Sequence, residues 1–288
     1  MKTWLLGVVL GLAWAAELSA EDLVKSINEA AGWTAALDWV QTKSQAEIDA
    51  FFTPKVIKQK RVYKRSWGHL AERLKLPDSF DTREGFPGCI SPIYSRQGNE
   101  TSWQIAAIEV SSDRLCVYTS GNITDRFSMS FLQACNSAPA DLPNTWMYIE
   151  EHGLPLETCV PPVPYKAACP FACYNLKPLK KYVFRDALEE TSALNIKMSL
   201  LNSGPVAGVM KVYEDFLYYT GGIYRHKGGK ELGETMLRII GWDVKDGVSY
   251  WMCANSWGTG WGEHGYARIA FGQVGIDSAA MAIMPTLL

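Results

Sequence analysis

The chain has 288 residues, of which 48% are hydrophobic, and this is enough for one large globular unit or two closely packed lobes. Its 28 basic residues are balanced by 30 acidic ones, which gives a formal net charge of −2. This balance excludes the strongly basic surface that a phosphate backbone requires, so no nucleic-acid partner is expected.

The N-terminus has the features of a secretory leader. Lys2 precedes an apolar run at 4–16, and the small-residue pattern Ala13-Trp14-Ala15 suits cleavage after Ala15. The run is too short to span a bilayer, and no later stretch has transmembrane character. We therefore expect residues 1–15 to be a signal peptide, and the protein to reach an extracellular, vacuolar or lysosome-like compartment.

Residues 16–75 are predicted to form a small helical region. The first helix is indicated by apolar residues at helical spacing, namely Leu23, Val24, Ile27 and Ala31. The second begins at the capping box Ser44-x-x-Glu47, and Pro54 ends it. The basic stretch at 55–65 is predicted to be a solvated connector.

Beyond residue 76 the pattern predicts an α+β fold, with a helical half followed by a β half. Prolines and glycines between 76 and 92 indicate loops, and a helix is predicted at 102–114. After Gly204-Pro205 the sequence predicts short strands at 206–213, 237–244, 249–254, 266–270 and 280–284.

Seven cysteines are present, so one thiol stays unpaired if the others form disulfides in the secretory pathway. Their spacing alone leaves the connectivity open. Cys169-x-x-x-Cys173 is a poor zinc signature, because no second Cys or His pair nearby completes a tetrahedral ligand set. Neither a metal nor another cofactor is expected.

Several motifs occur in the order found in one enzyme family. They are Leu76-Pro-Asp-Ser-Phe-Asp-Thr-Arg-Glu84, Ser112-Asp-Arg-Leu-Cys116, Gly204-Pro-Val206, Arg238-Ile-Ile-Gly-Trp242, Asn255-Ser-Trp-Gly258 and Gly275-Ile-Asp277. Together they resemble cathepsin B-like members of the papain family. The resemblance implies a papain-like two-lobed fold at 76–288, with a helical N-terminal lobe, a β-barrel-like C-terminal lobe and an interlobe cleft. It also implies that residues 16–75 are an inhibitory pro-segment.

In that family a cysteine follows a Gln-Gly turn and precedes a Trp at the start of a long helix. The helix dipole and a His partner keep its sulfur as thiolate. The matching stretch is Gln97-Gly-Asn-Glu-Thr-Ser-Trp103, which aligns Ser102 with the nucleophile and Gln97 with the oxyanion-hole position. This stretch is one residue shorter than the family pattern, and the Cys-Gly pair of the family loop is missing.

The family's Gly-Gly-His segment is represented by Gly233-Glu-Thr235, so Thr235 stands at the His position. Its separation from Ser102 falls within the range expected between a papain-type nucleophile and its base. Asn255 matches the residue that orients the His. By alignment, none of the four histidines takes the catalytic position, and we interpret them as surface or turn residues: His69, His152, His226 and His264.

A serine hydroxyl is a weak nucleophile until a base takes its proton, and threonine cannot be that base at neutral pH. We therefore expect a non-catalytic homologue whose cleft binds a peptide, an inhibitor or an active sibling protease. Two alternatives stay open: a weak peptidase that uses Ser102, and a structural secreted glycoprotein. Thr101-Ser-Trp-Gln104 is also a capping box, so Thr101 or Ser102 is expected to cap the helix.

The resemblance implies the disulfides Cys89–Cys116, Cys135–Cys169 and Cys159–Cys173, with Cys253 as a buried free thiol. Only residues 160–168 occupy the place of the family's long occluding loop, so the cleft is expected to be open along its length.

Three further residues are candidate sites. Asp277 matches the acidic residue of the family's S2 pocket, or it is a surface acid in a turn. The sequons Asn99-Glu-Thr101 and Asn122-Ile-Thr124 make both asparagines candidates for N-glycosylation.

Overall fold

The computed structural model describes residues 18–30, 32–52, 63–64, 75–96, 100–136, 142–162, 168–278 and 280–286. Several predicted features lie outside these described residues: the leader at 1–15, Pro54, most of the basic connector, His69, Gln97 and Asn99. Among the described helices, none is both long enough and apolar enough to cross a bilayer.

The described helices are α1 (Ala20–Glu29), α2 (Asp38–Gln41), α3 (Gln45–Ala50), α4 (Thr82–Gly85), α5 (Ser102–Tyr118), α6 (Met129–Cys135), α7 (Leu142–His152), α8 (Ala193–Ser203) and α9 (Glu214–Leu217). The predicted capping box of Ser44 and Glu47 is present at the start of α3. Helix α5 continues past its predicted end at residue 114, because Leu115 and Cys116 are also buried.

The described strands are β1 (Trp33–Ala35), β2 (Tyr63–Lys64), β3 (Phe80–Asp81), β4 (Val183–Glu190), β5 (Val206–Tyr213), β6 (Tyr219–Tyr224), β7 (Glu231–Lys245), β8 (Val248–Ala254), β9 (Tyr266–Ala270) and β10 (Ala280–Thr286). They pair in the order β1-β6-β9-β8-β7-β5-β10-β4-β2, and β3 pairs with β7. The pairs β6–β9 and β2–β4 are parallel, and the others are antiparallel. The predicted α+β class is confirmed.

The predicted division into a helical half and a β half after Gly204 is wrong at residues 183–190, where β4 lies, whereas α8 agrees with it. Strand β4 pairs with β10, and the register shifts between Ala282 and Met284. Asp186, at the shift, has a φ of 55°. A bulge of this kind interrupts the alternation of buried and exposed residues that would have predicted the strand.

The interior is divided into two buried clusters. The first cluster lies among the strands and includes Trp242, Trp251 and Trp261. Residues 18–52, which we call the N-terminal segment, contribute Leu23, Ile27 and Trp33 to it. The second surrounds α5 and includes Trp103, Ile108, Phe127, Phe131, Trp146, Phe184 and Met236. This division corresponds to the two lobes that the resemblance implies.

The N-terminal segment extends the sheet at its β6 edge. Strand β1 pairs antiparallel with β6, and the indole N–H of Trp33 donates to the carbonyl of Arg225 (2.9 Å). The Asn28 side chain donates to the carbonyl of Ala35 and accepts from its N–H. A Cβ at Gly222 would lie 2.6 Å from the Cα of Trp33, so the close approach of the two strands requires glycine there.

The three disulfides form as the resemblance implied: Cys89–Cys116, Cys135–Cys169 and Cys159–Cys173. Cys253 is a free cysteine and is fully buried, also as expected. Burial raises the pKa of the Cys253 thiol, and this keeps it protonated and unreactive.

A buried ion pair connects α5 to β7. Arg238 in β7 donates from Nη1 to the carboxylate of Asp113 in α5, and from Nη2 to the carbonyl of Ser91 (2.7 Å). Ser91 donates to Asp113 through both its N–H (2.9 Å) and its hydroxyl (2.6 Å). Burial raises the pKa of Asp113, while Arg238 and the bonds from Ser91 oppose that rise.

Removal of Asp113 leaves the buried charge of Arg238 with only its longer contact to Glu109 (3.8 Å). We therefore expect Asp113→Ala to lower the free energy of unfolding by about 3–5 kcal/mol. Equilibrium denaturation in urea measures the change.

Two variants control this experiment. Lys211→Ala breaks the exposed pair of Lys211 and Glu231 and should leave the denaturation midpoint nearly unchanged. The apolar triple variant Glu109→Leu/Asp113→Leu/Arg238→Met should be less destabilised than Asp113→Ala, because it also replaces the buried Glu109 carboxylate that lies 3.8 Å from Arg238 and so leaves no charge of this cluster unpaired. Equal losses for Asp113→Ala and Lys211→Ala would contradict the assignment of this pair as a buried constraint.

Candidate functional site

Ser102 lies in the first turn of α5, directly after the residue that caps the helix. Thr101 accepts through its hydroxyl from the N–H of Gln104 (3.4 Å), and the Gln104 side chain accepts from the N–H of Thr101 (3.1 Å). The predicted capping box is therefore present, and Thr101 is the cap. Ser102 is only 4% exposed, and its Oγ has no hydrogen-bond partner among the described residues.

The other two positions implied by the resemblance lie on neighbouring strands. Thr235 is in β7, and Asn255 directly follows β8. Since Arg238 pairs with Ala254, the register places Thr235 and Asn255 at the same end of this strand pair. Both are buried, and Thr235 Oγ1 and Asn255 Nδ2 have no hydrogen-bond partner within the described parts of the chain.

Two contacts bring the start of α5 to this end of the sheet. The N–H of Arg96 donates to the carbonyl of Ser256 (3.1 Å), which joins the loop before α5 to the segment after β8. Ser95 also forms an isolated antiparallel bridge with Trp257. In addition, Trp103 and Met236, which directly follow the nucleophile and base positions in sequence, belong to the same buried cluster. The structure thus gathers three of the four implied catalytic positions in one region. The fourth, Gln97, lies outside the described residues.

The described histidines are engaged elsewhere. His152 is exposed at the end of α7, and His264 is an exposed turn residue with a φ of 54°. His226 is hydrogen-bonded through Nδ1 to the buried carboxylate of Asp215 (3.1 Å). No described imidazole is hydrogen-bonded to the Ser102 hydroxyl.

Tyr94 and Glu100 form a contact that the sequence did not predict. The Tyr94 hydroxyl donates to the Glu100 carboxylate (2.6 Å), and the guanidinium of Arg126 lies 4.0 Å from the centre of the Tyr94 ring. Burial, followed by the bond to Glu100, raises the pKa of Tyr94 to about 12. The sequence signal available for this contact was Glu100, an acid next to the capping Thr101 in the loop where the family carries Cys-Gly.

The N-terminal segment covers Trp257, which follows Asn255 in the Asn-Ser-Trp motif. Trp39 stacks on Trp257 with ring centres 5.6 Å apart, and Phe51 and Phe52 pack against the same ring at 5.2 and 5.9 Å. In the intact chain, aromatic residues of the N-terminal segment therefore occupy this face of Trp257, while most of the segment at 160–168 lies outside the described residues. Beside these rings is a cavity of about 680 Å³, lined in part by Asp38, Trp39, Arg96 and Trp257.

The remaining candidate residues lie apart from this region. The Asp277 carboxylate accepts from the N–H of Gly272 (2.8 Å) and from the indole of Trp251 (3.3 Å), so it stabilises a turn. Asn122 is exposed, and its side chain donates to the carbonyl of Thr119. Within the described residues, no group of three or more His, Cys, Asp or Glu side chains is arranged to hold a metal ion.

Comparison with known proteins shows which protein family the chain matches. The model of the papain family of cysteine proteases matches residues 76–284. The chain belongs to the papain family. Its fold is that of procathepsin B S9 from Trypanosoma congolense, with a TM-score of 0.83 and 28% identity over 94% of this chain and 99% of that one.

The relatives found by sequence comparison are cathepsin B-like proteins, as is the matching structure. Cathepsin B-like cysteine proteinase 6 of Caenorhabditis elegans is 30% identical, with 95% of this chain and 85% of that protein covered. Cathepsin B-like CP2 of Giardia intestinalis is 27% identical, with 94% of both chains covered. The cathepsin B-like resemblance is therefore confirmed, and the N-terminal segment lies within the part that matches a proenzyme structure.

The unpaired hydroxyl of Thr235 leads to a stability prediction. Thr235→Val removes a buried polar group without a partner and keeps a similar side-chain shape. We expect it to raise the free energy of unfolding by roughly 1 kcal/mol, measured by urea denaturation.

Thr82 provides a matched control, because it too is fully buried but donates through its hydroxyl to the carbonyl of Ile240 (2.7 Å). Thr82→Val should lower the free energy of unfolding by about 1–2 kcal/mol. If Thr235→Val were as destabilising as Thr82→Val, the Thr235 hydroxyl would have a partner, and our description of the site would be incorrect.

Proposed function

We propose that this chain is a non-catalytic cathepsin B-like protein that binds a peptide, an inhibitor or an active sibling protease through the cleft between its lobes. The observation that carries the proposal is the pair of hydroxyls at the nucleophile and base positions. Ser102 Oγ and Thr235 Oγ1 are both buried, and neither has a described hydrogen-bond partner. A serine without a base has no route to the alkoxide that attacks a peptide carbonyl.

The replacement of both the catalytic Cys and the catalytic His of the family is stronger evidence against catalysis than the replacement of one of them. In serine proteases, removal of the triad leaves a residual rate of roughly 10³-fold over water, which comes from the oxyanion hole and from substrate binding. The loop that carries Gln97 is one residue shorter here than in the family pattern. Retention of Asn255 does not restore chemistry, because that residue acts by orienting a His.

Peptide recognition is supported by the N-terminal segment itself. Its aromatic residues Trp39, Phe51 and Phe52 already pack on Trp257, so this face accepts a peptide chain with large aromatic side chains. We propose that residues 16–75 are the pro-segment of the domain at 76–288, and that a cleft partner competes with it.

A secretory location fits the same proposal. Three disulfides suit an oxidising compartment, and cathepsin-like relatives are typical of secretory or lysosomal routes. We propose that residues 1–15 direct the chain there, and that the exposed Asn122 can carry a glycan. Asp277 is retained as a candidate for the S2 position.

Hydrolysis of fluorogenic peptides tests the central claim. The purified protein is assayed intact and after cleavage in the basic connector, beside Ser102→Ala and Ser102→Cys/Thr235→His. We expect wild type and Ser102→Ala to be equal at background. The double variant shows whether the rest of the site can still support cysteine chemistry.

Two other outcomes distinguish the alternatives. If wild type hydrolyses peptides, Ser102→Ala does not, and a fluorophosphonate labels Ser102, the protein is a weak serine-dependent peptidase and the non-catalytic proposal is wrong. If no peptide or inhibitor raises its thermal stability, the structural glycoprotein is favoured over a binding protein.

A further inference from the structure

An exposed apolar tip lies on the disulfide-linked part of the chain, far in sequence from the cleft residues. The tip, defined as residues 171–178, carries the three most exposed of the large hydrophobic side chains recorded for the described residues. They are Phe171 (93%), Leu176 (87%) and Tyr174 (71%). The other exposed large hydrophobics, at 40–61%, are scattered singly along the chain. Three such side chains within six residues are unusual on a soluble surface.

The tip is held in a fixed shape. Cys169 is bonded to Cys135, and Cys173 is bonded to Cys159. The start of the tip is therefore linked by disulfides to two different parts of the chain. Ala172 pairs with Pro178 in an antiparallel bridge. The N–H of Cys173 donates to Lys177 O (3.0 Å), and the N–H of Leu176 donates to Cys173 O (2.9 Å). The apolar side chains are therefore presented without a large cost in conformational entropy on binding.

Neither packing nor backbone preference explains the leucine in this turn. Leu176 has a φ of 62°, in the left-handed region that Gly and Asn adopt with less strain. Its side chain is almost fully exposed, so it adds little to either core. Strained backbone of this kind is typical of sites that act on something outside the protein.

The sequence of the tip and of the residues that follow it is basic. Residues 168–185 contain four cations, Lys177, Lys180, Lys181 and Arg185, and no Asp or Glu, although the whole chain has a net charge of −2. The ammonium of Lys180 lies 5.1 Å from the ring centre of Tyr182. Lys177 and Lys180 are exposed, and neither forms an ion pair within the described residues. An apolar tip with a cationic base complements an anionic surface.

We propose that this tip docks the protein peripherally on an anionic phospholipid surface. Phe171, Tyr174 and Leu176 enter the interfacial region, and Lys177 and Lys180 contact headgroup phosphates. The amphipathic ring of Tyr174 suits the boundary between water and hydrocarbon.

A lipid surface is favoured over a protein partner because the tip is small and its three apolar side chains are largely exposed to solvent. A stable protein interface buries about 800 Å² on each partner and needs a complementary shape, whereas a fluid interface adapts to three protruding side chains. Docking of this kind is independent of whether the cleft hydrolyses peptides.

Flotation of the full-length protein with phosphatidylcholine vesicles, with and without phosphatidylserine, tests the proposal. We expect binding that needs phosphatidylserine and weakens as salt is raised. Phe171→Ser/Tyr174→Ser/Leu176→Asn should lose at least about tenfold in partition coefficient. Lys177→Gln/Lys180→Gln should lose about fivefold for each charge removed.

The control variants remove similar groups elsewhere. Leu194→Ser/Val244→Ser takes away two other exposed apolar side chains, and Lys227→Gln/Lys245→Gln takes away two other lysines; neither should change binding. The triple tip variant should fold normally, because its residues are exposed and Asn suits the left-handed turn. An unchanged thermal midpoint verifies this.

Three results would overturn the proposal. The first is no binding to either vesicle. The second is binding that the tip variants do not reduce more than the control variants do. The third is self-association of the wild type, without vesicle binding, that the triple variant abolishes, because the tip would then contact a second copy of the chain.

Discussion

The buried contact between Arg238 and Asp113 sets the position of α5 against β7, and the geometry of the candidate site depends on it. The two charged groups are almost completely buried, and Ser91, in the loop before α5, donates to Asp113 and accepts from Arg238. Helix α5 begins with Ser102, and β7 carries Thr235. One ion pair therefore fixes how the element with the nucleophile position faces the element with the base position. A pair of this kind tolerates no loss of one partner, since the other charge would stay buried.

This constraint does not involve the side chains of Ser102 or Thr235, so the fold does not depend on which residues occupy these two positions. Ser102 and Thr235 donate no described hydrogen bond to either lobe, so their side chains add nothing polar to the stability of the fold. A catalytic Cys and His could be exchanged for these residues while Arg238, the disulfides and both cores stayed intact. The fold alone would indicate a protease, whereas the binding role that we propose rests on the residue types at positions 102 and 235.

The sequence predicted those parts of the structure that local pattern controls. The predicted bounds of β5 and β9 agree with the structure, since each is a short run bounded by turn residues. Strand β4 was missed because a bulge at Asp186 interrupts its alternation, and three-residue β1 is a strand only through its pairing with distant β6. Ser102, Thr235 and Asn255 came from resemblance. The contact of Tyr94 with Glu100 was missed because the sequence shows the acid beside the capping Thr101 but does not show which side chain reaches it.

The N-terminal segment connects the fold to the proposed binding role. It supplies an edge strand, buried apolar side chains and the aromatic residues on Trp257, so its departure would expose the edge of β6 and part of a core. An exposed sheet edge and a bare aromatic face invite pairing with another chain. A partner that replaces the segment must therefore supply both a strand and large aromatic side chains. A chain without its own peptidase activity would keep the segment until such a partner, or another protease, removes it.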